Sequence, residues 1–198
     1  GYSVTAASLF AKFFDFGWGP IEQELKLHSS KYHADQTSSS WILSSFRGGM
    51  RQELVMCNYA LNPRHGEIMG LALNPFSRLT RLVLIHNTSL GGQGAAGLAV
   101  GLTSSGNTLG ELLLDDCGVD DDGAVALSKA LLHPACRLHV LQLEENLIHD
   151  YGAAALAESL LGYAGLYVLG LGGNYIGSFG RTLLQGVVNR RPGTSLLL

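Results

Sequence analysis

Four groupings of residues in this chain have the types needed for chemistry. Asp120-Asp121-Asp122-Gly123 offers three carboxylates for a hard cation. A calcium loop of the EF-hand kind needs oxygen ligands at alternate positions, a glycine at the sixth and a glutamate at the twelfth. That spacing is absent, and carboxylates capping a helix start explain the run better. His86, with Asp116 and Glu145 one and two pattern units further on, offers an imidazole and two carboxylates for proton transfer. No Ser or Cys is phased onto the same surface, so a hydrolytic triad is excluded. Gly170-Leu171-Gly172-Gly173 has the composition of a phosphate-cradling loop but lacks the Lys-Ser/Thr that would hold a nucleotide. Cys57, Cys117 and Cys136 are an odd number with no C-x-x-C, and no H-E-x-x-H stands anywhere. They read as reduced intracellular thiols. The expectation is therefore no metal, no cofactor and no catalysis.

These groupings fall into phase with a longer pattern that must position them. Leu79, Leu82 and Leu84 are followed by Asn87; Leu109, Leu112 and Leu114 by Cys117; Leu138, Leu141 and Leu143 by Asn146; Leu166, Leu169 and Leu171 by Asn174. Each unit reads L-x-x-L-x-L-x-x-(N/C). A glycine recurs in the second half of each unit, at Gly94, Gly123, Gly152 and Gly180. Leucines follow at helical spacing: Leu98, Leu127, Leu156 and Leu184, then Leu102, Leu131, Leu160 and Val188. Alanine and glycine fill the intervening positions and let each helix lie close to the next. The reading is a strand then a helix, repeated. Leu82 and Leu84 point inward, while Arg81 and Val83 point outward. The Asn or Cys satisfies backbone groups where the chain leaves the strand. Asp120, Asp122 and Asp150 stand where helices begin. No unit buries its own leucines, so stacking must do it.

The unit resembles the long leucine-rich repeat of the ribonuclease-inhibitor subfamily, over residues Leu79 to Leu198. That subfamily includes the GTPase-activating protein of Ran, the repeat domains of NOD-like receptors and several axonemal subunits. The resemblance implies an α/β leucine-rich-repeat solenoid: a short curved parallel sheet on the concave side and helices on the convex side. It implies a protein-binding role in the cytoplasm or at the cytoskeleton or axoneme. The alternatives it carries are a sensor repeat domain of a longer receptor-like protein and a GTPase activator of the Ran-regulator type. An aromatic N-terminal region ending in Ser-Ser-Ser-Trp-Ile-Leu before leucine-rich repeats is also similar to the mitochondrial coupling factor B group, which would place the chain in the matrix after transit-peptide removal.

Residues 50–78 read as a degenerate repeat, with Leu54 and Met56 in phase with Leu82 and Leu84, Tyr59 in place of the Asn, and Pro63 and Pro75 disturbing the pattern. Clear repeats follow at 79–108, 109–137, 138–165 and 166–195, and 196–198 open a further strand. Residues 1–49 form a separate aromatic-rich helical extension, with nine of the sixteen aromatics. Its first helix, Ser3 to Phe16, groups Phe10, Phe13 and Phe14; with Trp18 these make either a cap on the first repeat or an anchor in a partner. Membrane contact is disfavoured, because only Lys12 lies near those aromatics. No apolar run approaches the roughly 20 residues that span a bilayer.

Read down the strands, the outward positions are Arg81, Val83, Ile85 and His86; Glu111, Leu113, Asp115 and Asp116; Val140, Gln142, Glu144 and Glu145; and Val168, Gly170, Gly172 and Gly173. The last row, rich in glycine, reads as flat. Residues 109–165 carry ten acids and two bases, while the whole chain is only −3. An acidic band beside Val83, Ile85, Leu113 and Val140 fits a basic, partly apolar protein segment. It would repel phosphates, so nucleic acid is excluded as a direct ligand. The expected role is a non-catalytic scaffold subunit of an intracellular hetero-oligomeric assembly.

Overall fold

The computed structural model describes residues 52–73 and 78–198. The candidate anchor Phe10, Phe13, Phe14 and Trp18, the extension around it and Pro75 lie outside the described residues.

Strands and helices alternate without exception: β1 (Glu53–Val55), α1 (Pro63–Ala72), β2 (Arg81–Val83), α2 (Gly91–Leu102), β3 (Glu111–Leu113), α3 (Asp121–Leu131), β4 (Val140–Gln142), α4 (Asp150–Gly162), β5 (Val168–Gly170), α5 (Ser178–Val188) and β6 (Ser195–Leu197). The six strands of the described residues form one parallel sheet in sequence order. Each helix packs on the next, α1 on α2 through to α4 on α5.

The register explains the leucine spacing. Leu54, Leu82, Leu112, Leu141, Leu169 and Leu196 pair across the sheet in one row. Those from Leu82 to Leu169 are fully buried. Leu84, Leu114, Leu143 and Leu171 form a second row, and Leu98, Leu127, Leu156 and Leu184 a third from the helices, all buried. Burying one leucine contributes about 1.5–3 kcal/mol, so each row is a run of such contributions that only neighbouring repeats can complete.

Asparagines bind the repeats to one another. Asn87 Oδ1 accepts from the N–H groups of Tyr59 and Leu61, and its Nδ2 donates to the carbonyls of Met56 and Leu84. Asn146 does the same for Cys117, Val119, Leu114 and Glu144. Asn174 takes Ile148 N–H and donates to Leu143 and Leu171. Each amide thus closes its own turn and the turn of the preceding repeat. Cys117 keeps only part of this, with Sγ donating to the Leu84 carbonyl at 2.8 Å. Burial pushes the Cys117 thiol up to about 12, aided by Asp115 and Asp116 and opposed by the Asn87 N–H. It remains a neutral thiol at physiological pH.

Capping also crosses repeats. Asp120 caps its own helix through Gly123 N–H. The next two caps come from the preceding repeat. Asp121 accepts from His149 and Gly152, and Asp150 accepts from Gly177 and Gly180. These carboxylates substitute for His149 and Gly177, N-cap residues whose side chains make no cap bond. Asp122 is exposed and is the one expected capping acid without such a bond among the described residues.

Two placements differ from expectation. Pro63 does not disturb its repeat: it sits at the helix start, where its missing N–H is harmless, behind an Asn62–His65 capping box. Leu196 pairs with Leu169 rather than holding the phase of Leu166. The chain turns back early through Arg191-Pro192-Gly193, with Gly193 at φ +114°, so the last strand comes three residues sooner.

The outer side of α5 departs from the internal helices. Ala153 on α4 faces α5, within 3.1 Å of where a Gly180 Cβ would lie. One repeat on, Ala153 and the buried Ala157 become Arg181 and Gln185, both exposed. Large polar groups there present to solvent a face that internal helices fill with alanine.

Candidate protein-binding face

The face of the sheet away from the helices is set by strand alternation: with Leu82, Leu112, Leu141 and Leu169 turned to the core, their flanking residues face out. Arg81, Glu111, Val140 and Val168 stand in one register row and are each half-buried. Arg81 is held between two carboxylates, with Nη1 at 2.9 Å from Glu53 and Nε at 3.0 Å from Glu111. His139 Nε2 lies 3.7 Å from the other oxygen of Glu111. Arg81 is therefore internally neutralised and leaves the acidic character of the face intact.

Val83 is a correction. It faces out as expected but is buried, 5% exposed, because Val55 and Leu113 flank it in register. It is a floor residue and offers little surface to a partner. Leu113 and Ile85 keep partial exposure. The glycine row is also not flat. The Gln142 side chain crosses into the space a Gly170 side chain would take, with Oε1 at 1.7 Å from the ideal Cβ position, and Glu144 Oε1 is 3.2 Å from that position. Gly170 is buried as a result. Gln142 Oε1 is itself buried and has no hydrogen-bond partner among the described residues.

The next two outward positions form the acidic band. His86, Asp116, Glu145 and Gly173 take the same place in successive turns and share a left-handed backbone, at φ +61°, +50°, +55° and +71°. Asn58 continues the row at +59°. Glycine adopts this conformation freely, whereas His86 and Glu145 are held there at a cost of about 1 kcal/mol each. His86 Nδ1 meets Asp116 Oδ2 at 2.9 Å, as the spacing allows. Glu145 has no such base opposite, since its next neighbour in the row is Gly173.

Asp115 lies at the centre of the band. Its Oδ1 accepts from Glu144 N–H at 2.8 Å. Burial raises its carboxyl above the usual carboxylate range, against the lowering effect of that hydrogen bond, and the charges of Glu144 and Glu145 raise it further. The folded state therefore binds this proton more tightly than the unfolded state does. The penalty is present above the folded value and is relieved as pH falls toward 3.8. Asp115→Asn keeps the acceptor and removes the charge. It is expected to stabilise the fold by a few tenths to about 1 kcal/mol at neutral pH after solvent screening, with the gain shrinking toward pH 4. Thermal melts of both forms across that range check it.

The structure thus brings the acidic and partly apolar outward residues from Arg81 to Val168 onto one face. Sequence reading passed over Glu53 and Val55, which extend the face to β1, and His139, whose ring lies 6.5 Å from that of Tyr167. The in-phase spacing of Glu53 with Arg81 was the available signal. Among the described residues there is no group of acids, histidines and cysteines that could hold a metal, and no helix long and apolar enough to cross a membrane.

No family model and no curated protein match the sequence. Among solved structures, the chain is similar to one titled Leiomodin-1 Actin-Binding Site 2 (ABS2). The TM-score is 0.58 at 17% identity, covering 76% of this chain and 87% of that one. Likeness at this level speaks for architecture alone, and it agrees with the alternating strands, helices and asparagine turns: the described chain has a leucine-rich-repeat-like fold.

Proposed function

We propose that this chain is a non-catalytic, protein-binding subunit of a larger intracellular assembly, built as a leucine-rich-repeat solenoid of the ribonuclease-inhibitor type. The open sheet face is the binding surface, and its partner presents a basic, partly apolar segment. The observation that carries this reading is the crowding of carboxylates around Asp115. Burial raises its carboxyl most, the charges of Glu144 and Glu145 add to the rise, and His86 offsets only part of it. A fold gains nothing from such crowding, whereas a cationic partner would relieve it on binding. Partly exposed Ile85, Leu113, Val140 and Val168 supply apolar contact beside the acids.

The solved neighbour is named for actin binding, which favours the cytoplasm or cytoskeleton as the setting and makes actin a sensible first partner to assay. Affinity capture with the intact chain, followed by mass spectrometry, tests the proposal. It expects a stable partner released by moderate salt. A monodisperse monomer with no stable partner counts against it.

A further inference from the structure

A second surface lies where the chain leaves the strands and enters the helices. Two repeat positions make it. The residue after each turn Asn or Cys is Thr88, Gly118, Leu147 and Tyr175 in successive repeats; the residue before each recurring helix glycine is Gln93, Asp122, Tyr151 and Phe179. The same backbone position is thus small or polar in the first two repeats and large and apolar in the last two. The fold does not require apolar groups there. Tyr151, Tyr175 and Phe179 are 68%, 63% and 62% exposed, and Leu147 is 46% exposed. The backbone brings the two repeats side by side, with Tyr175 N–H donating to Ile148 at 2.9 Å. His149 stacks on Tyr175 with ring centroids 5.5 Å apart. Four large apolar groups on adjacent repeats form a ledge of the kind that marks an interaction site.

Acids outnumber bases around it, the bases being Lys129 near Tyr151 and Arg181 on α5. Exposed Asp122 precedes Tyr151 in the helix row, and exposed Glu145 stands two residues before Leu147. Asp121 and Asp150 cap the helices that carry Tyr151 and Phe179. Arg181, the base on α5, donates its Nε to the Ile176 carbonyl.

We propose that this ledge, formed by Leu147, Tyr151, Tyr175 and Phe179, binds a basic amphipathic helix of a protein partner. Apolar side chains of that helix lie on the aromatic groups, and its lysines or arginines meet Asp122 and Glu145. This site shares Glu145 with the acidic band of the open sheet face, while its apolar groups belong to the turns and helix starts.

Fluorescence anisotropy with the full chain tests the proposal. The probe is a labelled peptide of about 16 residues with leucines on one helical face and lysines on the other; a second peptide carries glutamate in place of lysine. The expected result is saturable, salt-sensitive binding of the lysine peptide only. Tyr175→Ser with Phe179→Ser should weaken it at least tenfold or so, while Glu144→Lys on the sheet face changes it far less. Because both ledge positions are exposed, the melting temperature of the double variant should match the parent, confirming that it folds. Equal binding of both peptides, or no loss in the double variant, overturns the proposal. So does concentration-dependent dimerisation in sedimentation that the double variant abolishes, which would assign the ledge to a second copy of this chain.

Discussion

Asn146→Ala is expected to remove about 3–5 kcal/mol of stability, enough to unfold a small repeat array at ordinary temperatures. The Asn146 side chain is 1% exposed. It satisfies two buried N–H groups, of Cys117 and Val119, and donates to the Leu114 and Glu144 carbonyls. Alanine leaves those groups in an apolar interior that water does not reach, at about 1–3 kcal/mol for each left unpaired. Asn146→Asp retains the acceptor but buries a carboxylate whose second oxygen faces the Leu114 and Glu144 carbonyls, so its loss should be at least as large. Asn174→Ala should be milder, because the bonds of Asn174 are only partly buried. Chemical denaturation of the three variants checks the order. Equal stability of Asn146→Ala and the parent would mean that the asparagine row does not join the repeats.

Gly70→Val should be about as damaging, for a steric reason. Helices α1 and α2 touch backbone to backbone. A Cβ on Gly70 would lie 1.9 Å from the Gly97 carbonyl oxygen, and one on Gly101 would lie 2.4 Å from the Gly70 oxygen. Neither obstacle is a side chain that can rotate away. Even an alanine must push the helices apart, at about 1–3 kcal/mol, and valine exceeds that range. The predicted outcome is loss of cooperative unfolding, or a much lower midpoint, measured by circular dichroism. Gly186→Val on α5 is the control, since among the described residues no atom beyond its chain neighbours and its own helix backbone lies within 4 Å of its Cβ position, and it should cost little.

The regular part of this architecture was legible from the leucine period. A side-chain rhythm of two in the strands and four in the helices dictates which residues are buried, and the rows through Leu82 and Leu98 are placed as that rhythm requires. What escaped it were effects between repeats. Asp121 and Asp150 cap the following helix rather than their own, which only the stacking distance reveals. Val83 points the expected way yet is buried, because exposure on a sheet depends on the width of lateral neighbours as well as on alternation. Gln142 fills the hollow over Gly170, so a glycine row that reads as flat is roofed by the repeat before it. The phase of Leu196 shifted because a Pro-Gly turn shortens the last connection. The acidic band was visible as composition, but its crowding around Asp115 required the 2.8 Å contact with Glu144 to be seen.

The central claim is that the acidic open face holds a basic protein partner. Its most direct test is the affinity of the captured partner for the parent chain and for the Glu144→Lys variant, by titration calorimetry at two salt concentrations. Glu144 is half-buried on the outer face, so the variant should fold normally. The account predicts that affinity falls about tenfold or more on charge reversal and that the parent's binding weakens as salt rises. Unchanged affinity in the folded variant, with no salt dependence in the parent, would contradict it and move the partner off this face.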